Sequence, residues 1–231
     1  MSYYPNPINK SFDFTGTQYN TKAKCNAAGI YFHDDGGYYP TSFGIAGFTV
    51  QSGTWTHSAG NGWIASSIGE SQNADFIIRL TKQNFQVDLE FDYEESGAAN
   101  ERGYMRICCI TDSNHIGFGG QAYDENDDAG APQLVWNLWT NDGDDTLTNK
   151  YTGAALAGTG VRYLKVKSVN GVISIYDDQN DSWNDYEGHQ DVGRSYTYNY
   201  VGFFNYKTAA KALAPIYIRK IDITYINNNE L

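Results

Sequence analysis

The sequence predicts an all-β globular domain, a sandwich or a barrel, on three observations. From Phe43 onward, short runs with an apolar residue at every second position follow one another, as half-buried strands require. Turn residues interrupt these runs at intervals that suit a sandwich or barrel. The best helical stretch, Lys207 to Leu213, is rich in Ala but only about two turns long, enough for a loop decoration at most.

At 231 residues the chain is long enough for one large all-β domain with a real core. Its 24 Gly, 19 Tyr and 5 Pro suit many short strands joined by Gly, Asn and Asp turns, and they argue against disorder.

Residues 1–45 hold no sustained period, and Pro5, Pro7, Pro40 and the Gly36-Gly37 pair are spread through them. They read as an extended N-terminal arm with one or two strands, Lys10 to Phe14 and Gly29 to Phe32. The arm lies on a neighbouring subunit or packs on its own domain. Residues 46–231 form the sandwich. Its candidate strands are Phe48 to Ser52, Gly53 to His57, Gly62 to Ser66, Phe76 to Arg79, Phe85 to Tyr93 and Gly103 to Thr111, then His115 to Gly119, Gln133 to Thr140, Val161 to Val169, Gly171 to Asp177, Asn199 to Asn205 and Ile216 to Tyr225. The clearest hairpin runs from Tyr163 to Tyr176, because Asn170-Gly171 supplies the two positive-φ positions of a tight primed turn. Alternation then sends Leu164 and Val166 to one face, Lys165 and Lys167 to the other.

Four stretches occur in an order and spacing that form a pattern: Phe48 to Trp55 with its Gly53 and Trp55, Phe85 to Tyr93 followed by Arg102 to Arg106, the Val161 to Asp177 hairpin, and Tyr200 to Asn205 with Ile221-Asp222-Ile223 as closing strand. Together, over about residues 46 to 227, the chain resembles the concanavalin-like lectin/glucanase domains, including laminin-G-like modules and keto-disaccharide hydrolase domains. The resemblance implies a two-sheet antiparallel jelly-roll sandwich (concanavalin-like), which is a fold and not an activity.

Within Phe85 to Glu94, alternation puts Asp88, Glu90, Asp92 and Glu94 on the face opposite Phe85, Val87, Leu89, Phe91 and Tyr93. Glu90-x-Asp92-x-Glu94 resembles the signature of laminarinase and lichenase glycosidases. Carried over, Glu90 is the nucleophile, Asp92 orients and tunes it, and Glu94 is the acid/base. Residues four apart on a strand are roughly 13 Å apart at Cα, whereas retaining chemistry wants the carboxyl groups roughly 5 to 5.5 Å apart, so a bulge or inward-leaning side chains are needed. The first reading of this face is a solvated or Arg/Lys-paired outer surface, with the glycosidase pair and metal binding as the alternatives.

Asp/Asn-rich loops occur at Asp124 to Gly130, Asn141 to Asp145 and Asp177 to Asp181. Asp124, Asn126 and Asp128 have the alternate spacing that calcium takes, although the twelfth position from Asp124 is Val135 and no EF-hand is formed. Local Asx-turn hydrogen bonding explains the same composition. His33, His57, His115 and His189 make no metal-like pair. Cys25 and the adjacent Cys108-Cys109 offer no Cys-x-x-Cys spacing and read as buried free thiols.

Sugar rings present apolar C–H faces, so glycan sites combine Trp or Tyr platforms with Asp, Asn and Gln. Trp139, Asn141 and Asp142 form one such mixture, and Trp183 with Tyr186 another. Trp136 and Trp139 stand at opposite parity, which makes one core and the other exposed, while Trp55 and Trp63 read as core. Tyrosines equally suit a flat protein interface.

A formal charge of −11, from 16 basic and 27 acidic side chains, repels a phosphate backbone and excludes nucleic acid as the natural partner. No apolar run approaches the roughly 18 residues that a bilayer span needs. The N-terminus lacks the basic-then-apolar pattern of a secretory signal, so cytosolic synthesis is expected unless a signal was removed or another route exists. The expected function is a non-catalytic recognition or assembly module that binds glycan or a neighbouring protein subunit, oligomeric or part of a particle such as a virion, as a decoration, fibre or tail protein. The alternative is a glycoside hydrolase using Glu90 and Glu94.

Overall fold

The computed structural model describes residues 9–34, 52–70, 72–94, 101–111, 116–124, 133–141, 147–153, 155–186, 197–207 and 212–226. In chain order the elements are β1 (Lys10–Asp13), α1 (Lys22–Ala27), β2 (Ile30–Phe32), β3 (Thr54–Ser58), β4 (Gly62–Ser66), β5 (Gln72–Arg79), β6 (Phe85–Tyr93), β7 (Glu101–Arg102), β8 (Tyr104–Thr111) and β9 (Ile116–Asp124). They continue with β10 (Gln133–Asn141), β11 (Leu147–Thr152), β12 (Leu156–Ala157), β13 (Gly160–Val169), β14 (Val172–Asp177), β15 (Ser182–Tyr186), β16 (Tyr198–Lys207), β17 (Ala212–Leu213) and β18 (Ile216–Tyr225).

Two antiparallel sheets face each other. The first has the order β15-β14-β13-β6-β18-β4-β3, with β1 also on β18; the second has β11-β10-β9-β8-β16-β5-β2, with β12 also on β10. The Asn170-Gly171 turn forms as the dipeptide dictates: φ is 51° and 83°, and Val169 pairs with Val172 across it. Inward residues at every second position fill the space between the sheets. Phe85, Val87, Leu89, Phe91 and Tyr93 of β6 meet Phe203, Val201, Met105, Ile107 and Trp136 of the second sheet in one buried cluster. Each such side chain contributes ~1.5–3 kcal/mol on burial.

Side-chain hydrogen bonds, among them the following, tie the layers together. Trp136 Nε1 donates to the Tyr163 carbonyl at 2.9 Å, Tyr93 Oη to Asp124 Oδ2 at 2.9 Å, and Tyr151 Oη to Asp177 Oδ2 at 2.6 Å. Asp177 is fully buried, and its carboxylate also accepts from the Gln179 N–H, the Asn180 N–H and Asn180 Nδ2.

The expected arm is, over its described residues, part of the sandwich. β1 pairs with β18 in the first sheet and β2 with β5 in the second. Phe12, Phe14, Cys25, Ile30 and Phe32 belong to the main core. Between the strands, Thr21 caps the six-residue α1 by accepting from the Lys24 N–H. Two strands of three or four residues give too few alternations to register as a period, yet each needs only two inward side chains to dock. Residues 35–45 lie outside the described residues. The helix expected at Lys207 to Leu213 does not match its described ends, since Lys207 closes β16 and Ala212–Leu213 pairs with β7.

The three cysteines are free and buried. Cys109 points into the main core and Cys108 to the opposite side, as neighbours on a strand must. Burial pushes the Cys25 thiol up to about 12 and raises both others as well.

Candidate functional site

The carboxylates of β6 do lie on one outward face. Their strand is straight: β6 pairs with β13 without interruption from Phe85↔Ser168 to Tyr93↔Gly160. The bulge falls on β18, where Ile218 pairs with Phe91 and the next partner, Lys220, with Glu90, leaving Arg219 as the extra residue. Arg219 and Lys220 therefore both come to the carboxylate side. Arg219 Nε is 3.1 Å from Glu90 Oε1 and Nη1 is 3.5 Å from Asp92 Oδ2, while Lys220 Nζ is 2.7 Å from Asp222 Oδ2. Glu94 is exposed at the strand end. The bulge that a glycosidase pair calls for is thus on the neighbouring strand, where it delivers cations to Glu90 and Asp92.

Asp88 and Asp222 are register partners on adjacent strands. Burial raises the Asp88 carboxyl above its ordinary value, and the Asp222 charge adds to the rise against the Gln86 hydrogen bond, Lys165 and Lys220.

The sequence-derived platforms separate. Trp183 lies on β15, an edge strand of the first sheet rather than a loop, half-buried, with its ring 5.8 Å from Tyr176 and 4.5 Å from Lys167 Nζ. Tyr186 ends the same strand, and its side chain lies outside the described residues. Trp139 lies in the other sheet and is 6% exposed, so the open platform expected there is corrected. Its indole covers Gly119, whose added Cβ would fall 2.5 Å from Trp139, and it packs with Ile77, Cys108, Ile110, Ile116 and Phe204 in a second apolar cluster. Trp136, by contrast, is core as parity allowed. Asn141 ends β10 without a described side chain, and Asp142 lies outside the described residues.

Of the candidate calcium ligands, Asn126 and Asp128 lie outside the described residues. Asp124 is 1% exposed and accepts from Tyr93 Oη and the Gln133 N–H, so it serves as a buried link between layers and does not fit a loop ligand. Among the described residues no group of three His, Cys, Asp or Glu side chains is placed to hold a metal ion. None of the described helices is long and apolar enough to cross a membrane.

A polar and aromatic cluster that sequence reasoning missed stands on the outward face of the second sheet. Register aligns Arg106 of β8 with Gln121 of β9 and Phe204 of β16, and Tyr104 with Tyr123 and Tyr206. Arg106 Nε donates to Gln121 Oε1 at 2.9 Å, and its guanidinium lies 4.5 Å from the Tyr206 ring and 5.4 Å from Tyr104. Tyr104 and Tyr123 stack at 5.3 Å with 8° between planes, and Tyr206 meets Tyr104 edge-on at 5.5 Å. Burial pulls the Arg106 pKa down, yet guanidinium stays charged. These five side chains are half-buried, so rings, hydroxyls, amide and cation are presented on one surface. Their outward parity on β8 and β9 was visible in the sequence, but bringing three strands into one row needs the register.

Comparison with sequence-family models and with curated proteins returns no match. Solved structures do share the shape. The CBM2 module of the evolved Dit of Lactobacillus casei BL23 phage J-1 matches with a TM-score of 0.62 at 14% identity, covering 96% of this chain and 98% of that one. The Crh5 transglycosylase in complex with NAG matches at 0.52 and 9%, covering 95% and 84%. The VIP36 exoplasmic/lumenal domain in its Ca2+/Man3GlcNAc-bound form matches at 0.51 and 12%, covering 78% and 85%. At such identities the likeness shows the fold alone, and that fold agrees with the one expected from the sequence: the chain is a two-sheet antiparallel jelly-roll sandwich.

Proposed function

We propose that this chain is a non-catalytic glycan-recognition module that reads sugar residues with the outward face of its second sheet. The observation that carries this is the row of Tyr104, Tyr123 and Tyr206 around Arg106 and Gln121. Phenol rings offer flat apolar surface to pyranose C–H faces, while guanidinium, amide and hydroxyl groups supply donors and acceptors for sugar hydroxyls. The end-to-end match to a phage carbohydrate-binding module supports the class of ligand. It also supports a setting in which the module belongs to an assembled particle such as a phage tail, beside neighbouring protein subunits. In this reading Glu90 and Asp92, paired with Arg219, and the exposed Glu94 belong to a polar outer face rather than to a catalytic pair.

The test is a glycan array printed with neutral, aminated and acidic oligosaccharides and probed with the purified protein and its Tyr206→Ala and Gln121→Ala variants. At least one class of glycan whose binding falls at least tenfold in both variants, with unchanged thermal unfolding, is expected. Silence across the array, or binding indifferent to both changes, refutes the assignment.

A further inference from the structure

The opposite side of the sandwich has a built surface of its own. On the outward face of the first sheet, Asp88, Glu90, Tyr163, Lys165, Lys220 and Asp222 line a pocket of about 220 Å3. At about 30 Å3 per water, that is room for roughly seven waters, or for one small ring rather than a chain. Tyr163 and Val161 are the exposed large hydrophobic residues of the described chain, each 39% exposed, and they stand two apart on β13 with the same parity. Lys165 Nζ lies 5.4 Å from the Tyr163 ring and 4.2 Å from the Tyr176 ring, and Lys167 Nζ lies over Trp183. A larger hollow of about 400 Å3, lined among others by Lys167, Gln86, Ser174 and Asp185, continues along the same strands.

We infer that this face is a second saccharide-binding surface, for neutral sugar residues, so that the module engages glycan from both sides. The inference takes its class of ligand from the proposed function but uses none of the same residues. Charge selects the occupant. The small pocket brings two ammonium groups and three carboxylates within reach of a single ring, so an acidic ligand meets Asp88, Glu90 and Asp222 while a cationic one meets Lys165 and Lys220. Hydroxyl groups satisfy both signs, donating to the carboxylates and accepting from the lysines. They also separate the facing carboxylates of Asp88 and Asp222, which are unfavourable as direct cross-strand neighbours. Tyr163 and Trp183 give apolar surface at two places beside the hollows.

Titration calorimetry with the neutral oligosaccharides that bind best on the array, together with turbidity of soluble mannan, β-glucan and galactan, tests the inference on wild type, Tyr163→Ala and Tyr206→Ala. Tyr163 is exposed, and light scattering and thermal unfolding verify that each variant is a folded species of unchanged mass. Two sites per chain are expected for wild type, with each variant losing one by at least tenfold in affinity and both losing the ability to cloud the polysaccharide. A single wild-type site removed by Tyr206→Ala and untouched by Tyr163→Ala overturns the second surface while the first stands. A single site removed only by Tyr163→Ala does the reverse. Absence of any binding overturns both.

Discussion

Arg219 stands opposite Glu90 because β18 carries one residue too many at that point, and its Nε lies 3.1 Å from the Glu90 carboxylate. The extra residue lets Ile216 and Ile218 on one side of it, and Ile221, Ile223 and Tyr225 on the other, all face inward although their spacing is odd. Deleting Arg219 sets Ile218 and Ile221 two apart and restores plain alternation, so both sets stay inward and every pairing with β6 is kept. The expected outcome is a retained cooperative unfolding transition, and Arg219→Ala costs only about 0–1 kcal/mol in urea. A deletion variant that loses the transition contradicts the assignment of Arg219 as the bulge residue.

Gly62 sits against the same segment. It has φ of +106°, and an added Cβ would lie 2.1 Å from the Ile218 carbonyl oxygen. Backbone cannot yield as a flexible side chain can, so Gly62→Ala is expected to cost at least ~2 kcal/mol. Denaturant midpoints compared with Gly60→Ala measure it. Gly60 also has positive φ but nothing within 4 Å, so it isolates the steric part.

Asp177 closes the turn after β14 and receives Tyr151 from the other sheet. Asp177→Ala removes the buried acceptor shared by the half-buried Tyr151 hydroxyl and the exposed Gln179 and Asn180 donors, and is expected to destabilise by about 1–3 kcal/mol, with Tyr151→Phe costing about 1 kcal/mol. Urea unfolding of both single variants and the double gives their coupling, which should be well above zero because the two share one bond.

Two outward carboxyls of the first sheet respond to pH in opposite senses. Asp88 has a folded pKa raised by burial and by Asp222, so the folded state holds its proton more firmly; its effect on stability is most favourable below the unfolded value and is lost as pH rises through the folded pKa. Asp185 is lowered, chiefly by its hydrogen bond from Ser174, so its contribution is present above the unfolded value and is lost as pH falls through the folded pKa. Asp88→Asn is therefore expected to raise stability at pH 7 by about 0.2–1 kcal/mol, with a smaller gain at pH 3. An equal gain at both values rules out the charge mechanism.

No thiol is expected to react with an alkylating agent in the folded protein, and three in denaturant. Burial holds Cys25 up to about 12 and the adjacent pair also above the ordinary value. Mass spectrometry of the alkylated chain counts them.

The strands were legible wherever alternation was long. Phe85 to Tyr93, Gly62 to Ser66 and Ile216 to Tyr225 have the expected bounds, and the Asn170-Gly171 turn formed with both φ values positive. β2 and β15 show why others were harder. β2 is three residues long, and β15, Ser-Trp-Asn-Asp-Tyr, is an edge strand whose polar composition looks like a loop. The site was less legible still. Trp139 and Trp183 look equivalent in sequence, but one lies over a glycine within a buried apolar cluster and the other on an edge strand. Tyr104, Tyr123 and Tyr206 look unrelated until β8, β9 and β16 are aligned.

The pairing of β1 with β18 sets Lys10 beside Ile223. Entry to the sandwich and exit from it are therefore one interstrand spacing apart, about 4.8 Å, and both belong to the same edge of one strand pair. A unit with that geometry can be spliced into a surface loop of an unrelated host without prying the loop open. Lys10 and Tyr225 can equally be joined by a short peptide and the chain reopened at Asn170-Gly171, the tip of the β13–β14 hairpin.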